Sequence, residues 1–133
     1  MENKRADAGV EYKHNGCNCC QAVLMAYSDI LNTDKETLMN LGSGFGLGMG
    51  SMEGTCGALC GAIASAGLLN SGGNLRGFSK QILNSFKEKC GGTICKDLKG
   101  IETGKMLCSC DDCVRNAIIS LAETDLVPAE ENV

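Results

Sequence analysis

The sequence is poor in proline, histidine and basic charge, and each shortage excludes something. Its single proline, Pro128, lies in a polar tail expected to fray. Its single histidine, His14, lies in a polar N-terminal arm, so no Ser/His/Asp arrangement for hydrolysis is credible. Asp111 and Asp112 read instead as first-turn helix charges. The net charge of −4 offers no electrostatic footprint for nucleic acid. The densest basic run, KRADAGVEYKH, reads as a solvated arm.

Long apolar runs are also missing. No stretch approaches the ~18 apolar residues of a membrane span. The first twenty residues contain no apolar signal region, so the cytoplasm is the expected compartment. Strand patterns are missing as well. Two-residue alternation occurs only in GSGFGLGMG, whose glycines argue against an ordinary strand. That run carries no Gly-Lys-Ser/Thr ending of a P-loop and no G-x-G-x-x-G spacing.

What remains is helical. Asn18 and Gln21 resemble a capping box opening CCQAVLMAYSDILN, and Thr33 with Glu36 resembles a second, before a short helix ended by Gly42. Thr55 is placed to cap a helix over about 56–69. Gly73 or Asn74 begins a fourth, with Leu75, Phe78, Ile82 and Phe86 inward and Gly91 closing it. Ser109 and Asp112 open a last helix running to about Glu123. The expected fold is one all-α domain of about five helices with a glycine-rich loop, residues 1–15 and 126–133 forming flexible ends.

The abundance is in cysteine: ten residues, at 17, 19, 20, 56, 60, 90, 95, 108, 110 and 113. Without an export signal, metal ligation or redox chemistry is a better reading than a disulfide framework. The caps place Cys19, Cys56 and Cys110 at the first helical position, where unpaired amides and partial positive charge favour a thiolate. Three such starts suggest helices converging on one anionic, sulfur-ligated centre. The C-x-x-C spacings at Cys17–Cys20 and Cys110–Cys113 suit thiol exchange, zinc and iron–sulfur sites alike. No βαβ pattern surrounds either, which argues against a thioredoxin fold. Gly44, Gly46, Gly48 and Gly50, separated by Phe45, Leu47 and Met49, suggest an anchored loop. Its backbone amides could bond to cluster sulfurs or receive an anion.

The phrases NCCQAVLMAY, SGFGLGMG followed by GTCGALCGA, FKEKCGGTICKDLKG and CDDCVRNA together resemble the redox-active C-GCAxxG-C-C family, over residues 18 to about 120. A related domain of split-Soret cytochromes implies an electron-transfer setting. The resemblance places the four characteristic cysteines on Cys19, Cys56, Cys95 and Cys110, with Cys113 competing for the last place. Cys17, Cys20, Cys60, Cys90, Cys108 and Cys113 are additions to the pattern.

These readings lead to a small redox or electron-transfer protein that binds an iron–sulfur cluster through Cys19, Cys56, Cys95 and Cys110 and docks a redox partner. A homodimer is compatible with its size. The alternative is a thiol–disulfide oxidoreductase, with Cys20, Cys60 and Cys113 as redox-active candidates. A zinc-stabilised structural or metal-handling module is the third reading.

Overall fold

The structure is a computed structural model that describes residues 3–70 and 73–128. Within them lie eight helices rather than about five. They are α1 (Lys4–His14), α2 (Cys19–Ala26), α3 (Lys35–Gly42), α4 (Gly46–Met49), α5 (Gly57–Leu69), α6 (Arg76–Cys90), α7 (Cys95–Lys99) and α8 (Cys110–Ala122). The only extended pairing among the described residues is a single antiparallel bridge between Thr55 and Ile94.

The largest departure is at the N-terminus. The expected solvated arm is α1, capped by the Asn3 side chain, which accepts from the Ala6 amide. A polar sequence hides its apolar stripe, because Ala6, Gly9 and Val10 are its small contribution to the interior. Gly9 has no side chain to hold α1 away from Val114 and Ile118 of α8. Arg5 is buried too. Its guanidinium lies 4.6 Å from the centre of the Tyr27 ring and bonds to Asp29. At the other end Val127 is buried, so the tail joins the core at least that far; 129–133 lie outside the described residues, as do residues 1 and 2.

The same arginine ends α2 early. The capping box of Asn18 and Gln21 forms as expected, but the helix stops at Ala26 rather than near Asn32. Arg5 donates to the Ala26 carbonyl, the group that the Ile30 amide would need for the next helical turn. That amide bonds instead to the Tyr27 carbonyl, and Asn32 adopts a left-handed φ of 53°.

Two other caps shift. Asp34, not Thr33, caps α3, accepting from the Thr37 amide, while the Thr33 hydroxyl bonds back to Leu31. Gly42 stays within α3, where a side chain would meet Gln21 and Leu24 of α2. Thr55 does not cap α5: it is held extended by its bridge to Ile94, and Cys56 itself precedes the helix. Gly91, at φ 90°, closes α6, and the Ser109 side chain caps α8, both as expected.

The core forms around α2 and α5. Leu24, Tyr27, Leu38, Leu59, Ile82, Phe86, Leu98, Ile118 and Leu121 are fully buried. Burying each such side chain contributes ~1.5–3 kcal/mol. At Gly61 a methyl group would fall 2.8 Å from the Cys20 carbonyl oxygen, so α5 presses backbone-close on α2. That approach sets the spacing of the two helix starts that carry Cys19 and Cys56.

Candidate thiol-lined redox site

Four helix starts meet at one end of the bundle. Cys19, Cys95 and Cys110 are the first residues of α2, α7 and α8, and Cys56 immediately precedes α5. Three local devices bring them together. The Asn18 side chain caps α2 and donates to the Gly42 carbonyl, tying that start to the end of α3, just before the glycine loop. The extended segment before α5 runs beside the one before α7: the Cys56 amide bonds to Thr93 at 2.7 Å and the Cys95 amide to Gly54 at 3.0 Å. The Leu98 carbonyl at the end of α7 accepts from the Leu107 and Cys108 amides, which fixes the approach to α8.

The result is a cavity of about 180 Å³ whose lining includes Cys19, Cys56, Cys95 and Cys110, the four cysteines singled out from the sequence. Cys56 and Cys95 are buried, whereas Cys19 and Cys110 are half-buried toward solvent. Among the described residues, no three of these four sulfurs lie within 4.8 Å of one another. All ten cysteines are free thiols.

The glycine loop divides. Leu47 and Gly48 adopt left-handed backbone, with φ 56° and 57°, inside the single turn of α4. This turn directs the Leu47 amide at the Cys19 sulfur, where it favours the thiolate. Gly48 packs against Cys95: a methyl group on it would fall 2.5 Å from the Cys95 Cβ. Gly46 is crowded by Asn18 in the same way, at 2.6 Å. Gly44 and Gly50 face open space and touch nothing of the cavity.

Electrostatics differ from thiol to thiol. Cys56 is pulled down to about 7, chiefly by the neighbouring Cys113 thiol, with the Leu59 and Ala58 amides of α5 adding to the effect. Burial pushes Cys19 and Cys95 up. Lys99 donates to the Cys110 sulfur, and that bond raises the lysine above its ordinary value. Lys13 also reaches the cavity, held by an ion pair with Asp111 at 3.1 Å. Neither lysine was signalled by sequence: one sat in the presumed arm, and the other required α7 to turn it inward.

The three redox-active candidates fall into two places. Cys20 of α2 has Cys60 of α5 as a neighbour. Cys20 is pushed up to about 12 by burial and by that neighbour. Cys113 instead belongs to a buried group with Cys90 and Cys108, whose sulfurs all lie within 4.8 Å of one another. This cluster could hold a metal ion, and it brings together two cysteines, Cys90 and Cys108, that sequence reading left without a role. Within it the Cys113 thiol faces the Cys108 carbonyl at 3.9 Å and, as the neighbour of Cys90, pulls Cys90 down to about 6, while its neighbours Cys56 and Cys90 drive Cys113 itself upward.

No helix among the described residues is long and apolar enough to cross a membrane. No curated protein and no solved structure matches the chain. A family model does, over residues 17–124, and its description is "Putative redox-active protein (C_GCAxxG_C_C)". The match begins after α1 and spans every cysteine of the cavity and of the buried group, and on that extent the chain belongs to the C_GCAxxG_C_C family of redox-active proteins.

Proposed function

We propose that the protein is an electron carrier whose cavity seats an iron–sulfur cluster on Cys19, Cys56, Cys95 and Cys110. The observation that carries this reading is the width of the four-thiol cavity. A single tetrahedral ion with metal–sulfur bonds of about 2.3 Å holds its sulfurs about 3.8 Å apart. Here no three of the four sulfurs come within 4.8 Å of one another, which suits a polynuclear cluster and suits one zinc ion poorly. When bound, such a cluster supplies one-electron chemistry without a bound substrate.

The chain's own contribution is to position and tune. The four ligands come from four different elements, so packing between α2, α5, α7 and α8 sets their separation. Lys99 and Lys13 place positive charge at the rim of an anionic centre. The Leu47 amide would share charge with the Cys19 sulfur, an interaction that raises the potential of sulfur-ligated iron. Half-burial of Cys19 and Cys110 leaves one side of the centre close to solvent, where a redox partner protein, in the cytoplasm, would approach.

Protein purified or reconstituted without oxygen should absorb in the visible range and contain iron and sulfide. Serine at any of the four cysteines should remove most of both. Colourless, iron-free protein after reconstitution would overturn the reading.

One contact favours the alternative of thiol–disulfide exchange. Cys113 neighbours Cys56, so an oxidised Cys56 has a resolving thiol beside it. Thiol counting and mass mapping after mild oxidation separate the two readings, because exchange forms a disulfide, Cys56–Cys113 on this contact, and electron carriage does not.

A further inference from the structure

The buried group of Cys90, Cys108 and Cys113 lies outside the four-cysteine ligand set. Its sulfurs come from three separate parts of the chain. Cys90 is the last residue of α6, Cys108 lies in the loop before α8, and Cys113 stands in the first turn of α8. They are 3%, 8% and 4% exposed, and all three sulfurs lie within 4.8 Å of one another. Packing alone explains a buried cysteine singly, as a small hydrophobe. It does not explain three that turn their sulfurs to one point.

The group also has an outer support. The Asn116 side-chain amide, one turn further along α8, donates to Cys90 at 3.3 Å and to Cys108 at 3.9 Å. Ligand sulfurs in metal sites are oriented by donors of this kind. Cys108 and Cys113 also line the neighbouring cavity, which gives an ion a route inward.

We infer that Cys90, Cys108 and Cys113 form a separate three-thiolate site for one soft d10 metal ion, Cu(I) or Zn(II). Thiolates select these ions over hard cations. Their mutual spacing, within 4.8 Å, needs at most about 1 Å of contraction to reach the ~3.8 Å that one zinc–thiolate centre requires. Cu(I) is satisfied by the three sulfurs, whereas Zn(II) adds a light atom such as water as its fourth ligand. The site shares none of the four cluster ligands and so does not require that cluster to form, although Cys113 adjoins Cys56.

The test uses the full chain, reduced and kept free of oxygen, titrated with Cu(I) or Zn(II) held by a chromogenic competitor. Cys90→Ser/Cys108→Ser should lose one tightly bound ion relative to wild type. Cys19→Ser/Cys95→Ser should keep that ion while losing any iron–sulfur chromophore. Asn116→Ala should weaken the ion about 10- to 100-fold. An unchanged stoichiometry in the first variant, or loss of the same ion in the second, overturns the proposal. X-ray absorption of wild-type protein carrying one equivalent decides the matter should a variant fail to fold. Three sulfur neighbours support the site, alone for Cu(I) or with one oxygen for Zn(II), and two or four overturn it.

Discussion

Gly57 stands so close to Cys19 that a methyl group in place of its α-hydrogen would lie 2.5 Å from the Cys19 sulfur and 2.6 Å from the Phe45 carbonyl oxygen. The first residue of α5 thus gives way to the first residue of α2 and to the glycine loop at once. Gly57→Ala must displace the sulfur, the loop or the helix, at a cost of about 1–3 kcal/mol. Gly44→Ala, which faces open space, is the control and should change stability by less than ~0.5 kcal/mol. Denaturant unfolding of the two variants, with iron content after reconstitution, measures both effects. Equal stability and equal loading would show that the close approach is irrelevant.

Arg5 links α1 to the end of α2 through the Ala26 carbonyl and Asp29. Hydrogen bonding from Arg5 holds the Asp29 carboxyl below its usual range. A carboxyl lowered by folding contributes stability that is present above its unfolded value of 3.8 and is lost as pH falls through the folded one. Asp29 is largely exposed, so its share is below ~1 kcal/mol. Asp29→Asn should be slightly less stable than wild type at neutral pH and converge with it below pH ~4. A gap that persists or widens in acid contradicts the assignment.

Legibility from sequence followed the range of the interactions involved. The caps at Asn18 and Ser109 and the glycine stop at Gly91 involve neighbours in sequence, so residue order showed them. Apart from the cap of α3, where Asp34 took the place of its neighbour Thr33, the errors arose where a distant residue intervened: Arg5 truncating α2, Ile94 pulling Thr55 out of its cap, and Ala6, Gly9 and Val10 giving a polar segment a buried face. The candidate site divides in the same way. Helix starts carrying cysteine could be read locally. Nothing in the spacing of Cys90, Cys108 and Cys113 shows that the end of α6 lies against the start of α8.

Cys113 is the leading cause of the lowered values of both Cys56 and Cys90. In metal-free protein, thiolate absorbance in the ultraviolet should therefore begin to rise at pH 6–7, well below the ordinary thiol value of 9.0. Cys113→Ala removes that neighbour, and the early rise should move toward pH 9. Because both groups are lowered on folding, their stabilisation is complete above pH 9 and disappears as pH falls through 7 and then 6. Wild-type protein with no titration below pH 8 would sink this account of the thiols.

Lys99 donates to the Cys110 sulfur from within the same wall of the cavity. A fixed cation beside a centre that gains negative charge on reduction stabilises the reduced state. On the electron-carrier reading, Lys99→Gln should lower the reduction potential. A tenfold shift in the one-electron equilibrium is about 59 mV, and a half-exposed lysine should contribute part of that because solvent screens it. Cluster content should fall little, since the lysine is not a ligand. An optical redox titration of the reconstituted variant at low and moderate salt reads the effect, which should shrink as salt rises. A potential that rises, or is unmoved at low salt, separates Lys99 from the redox centre and leaves its bond to Cys110 a packing detail of α7.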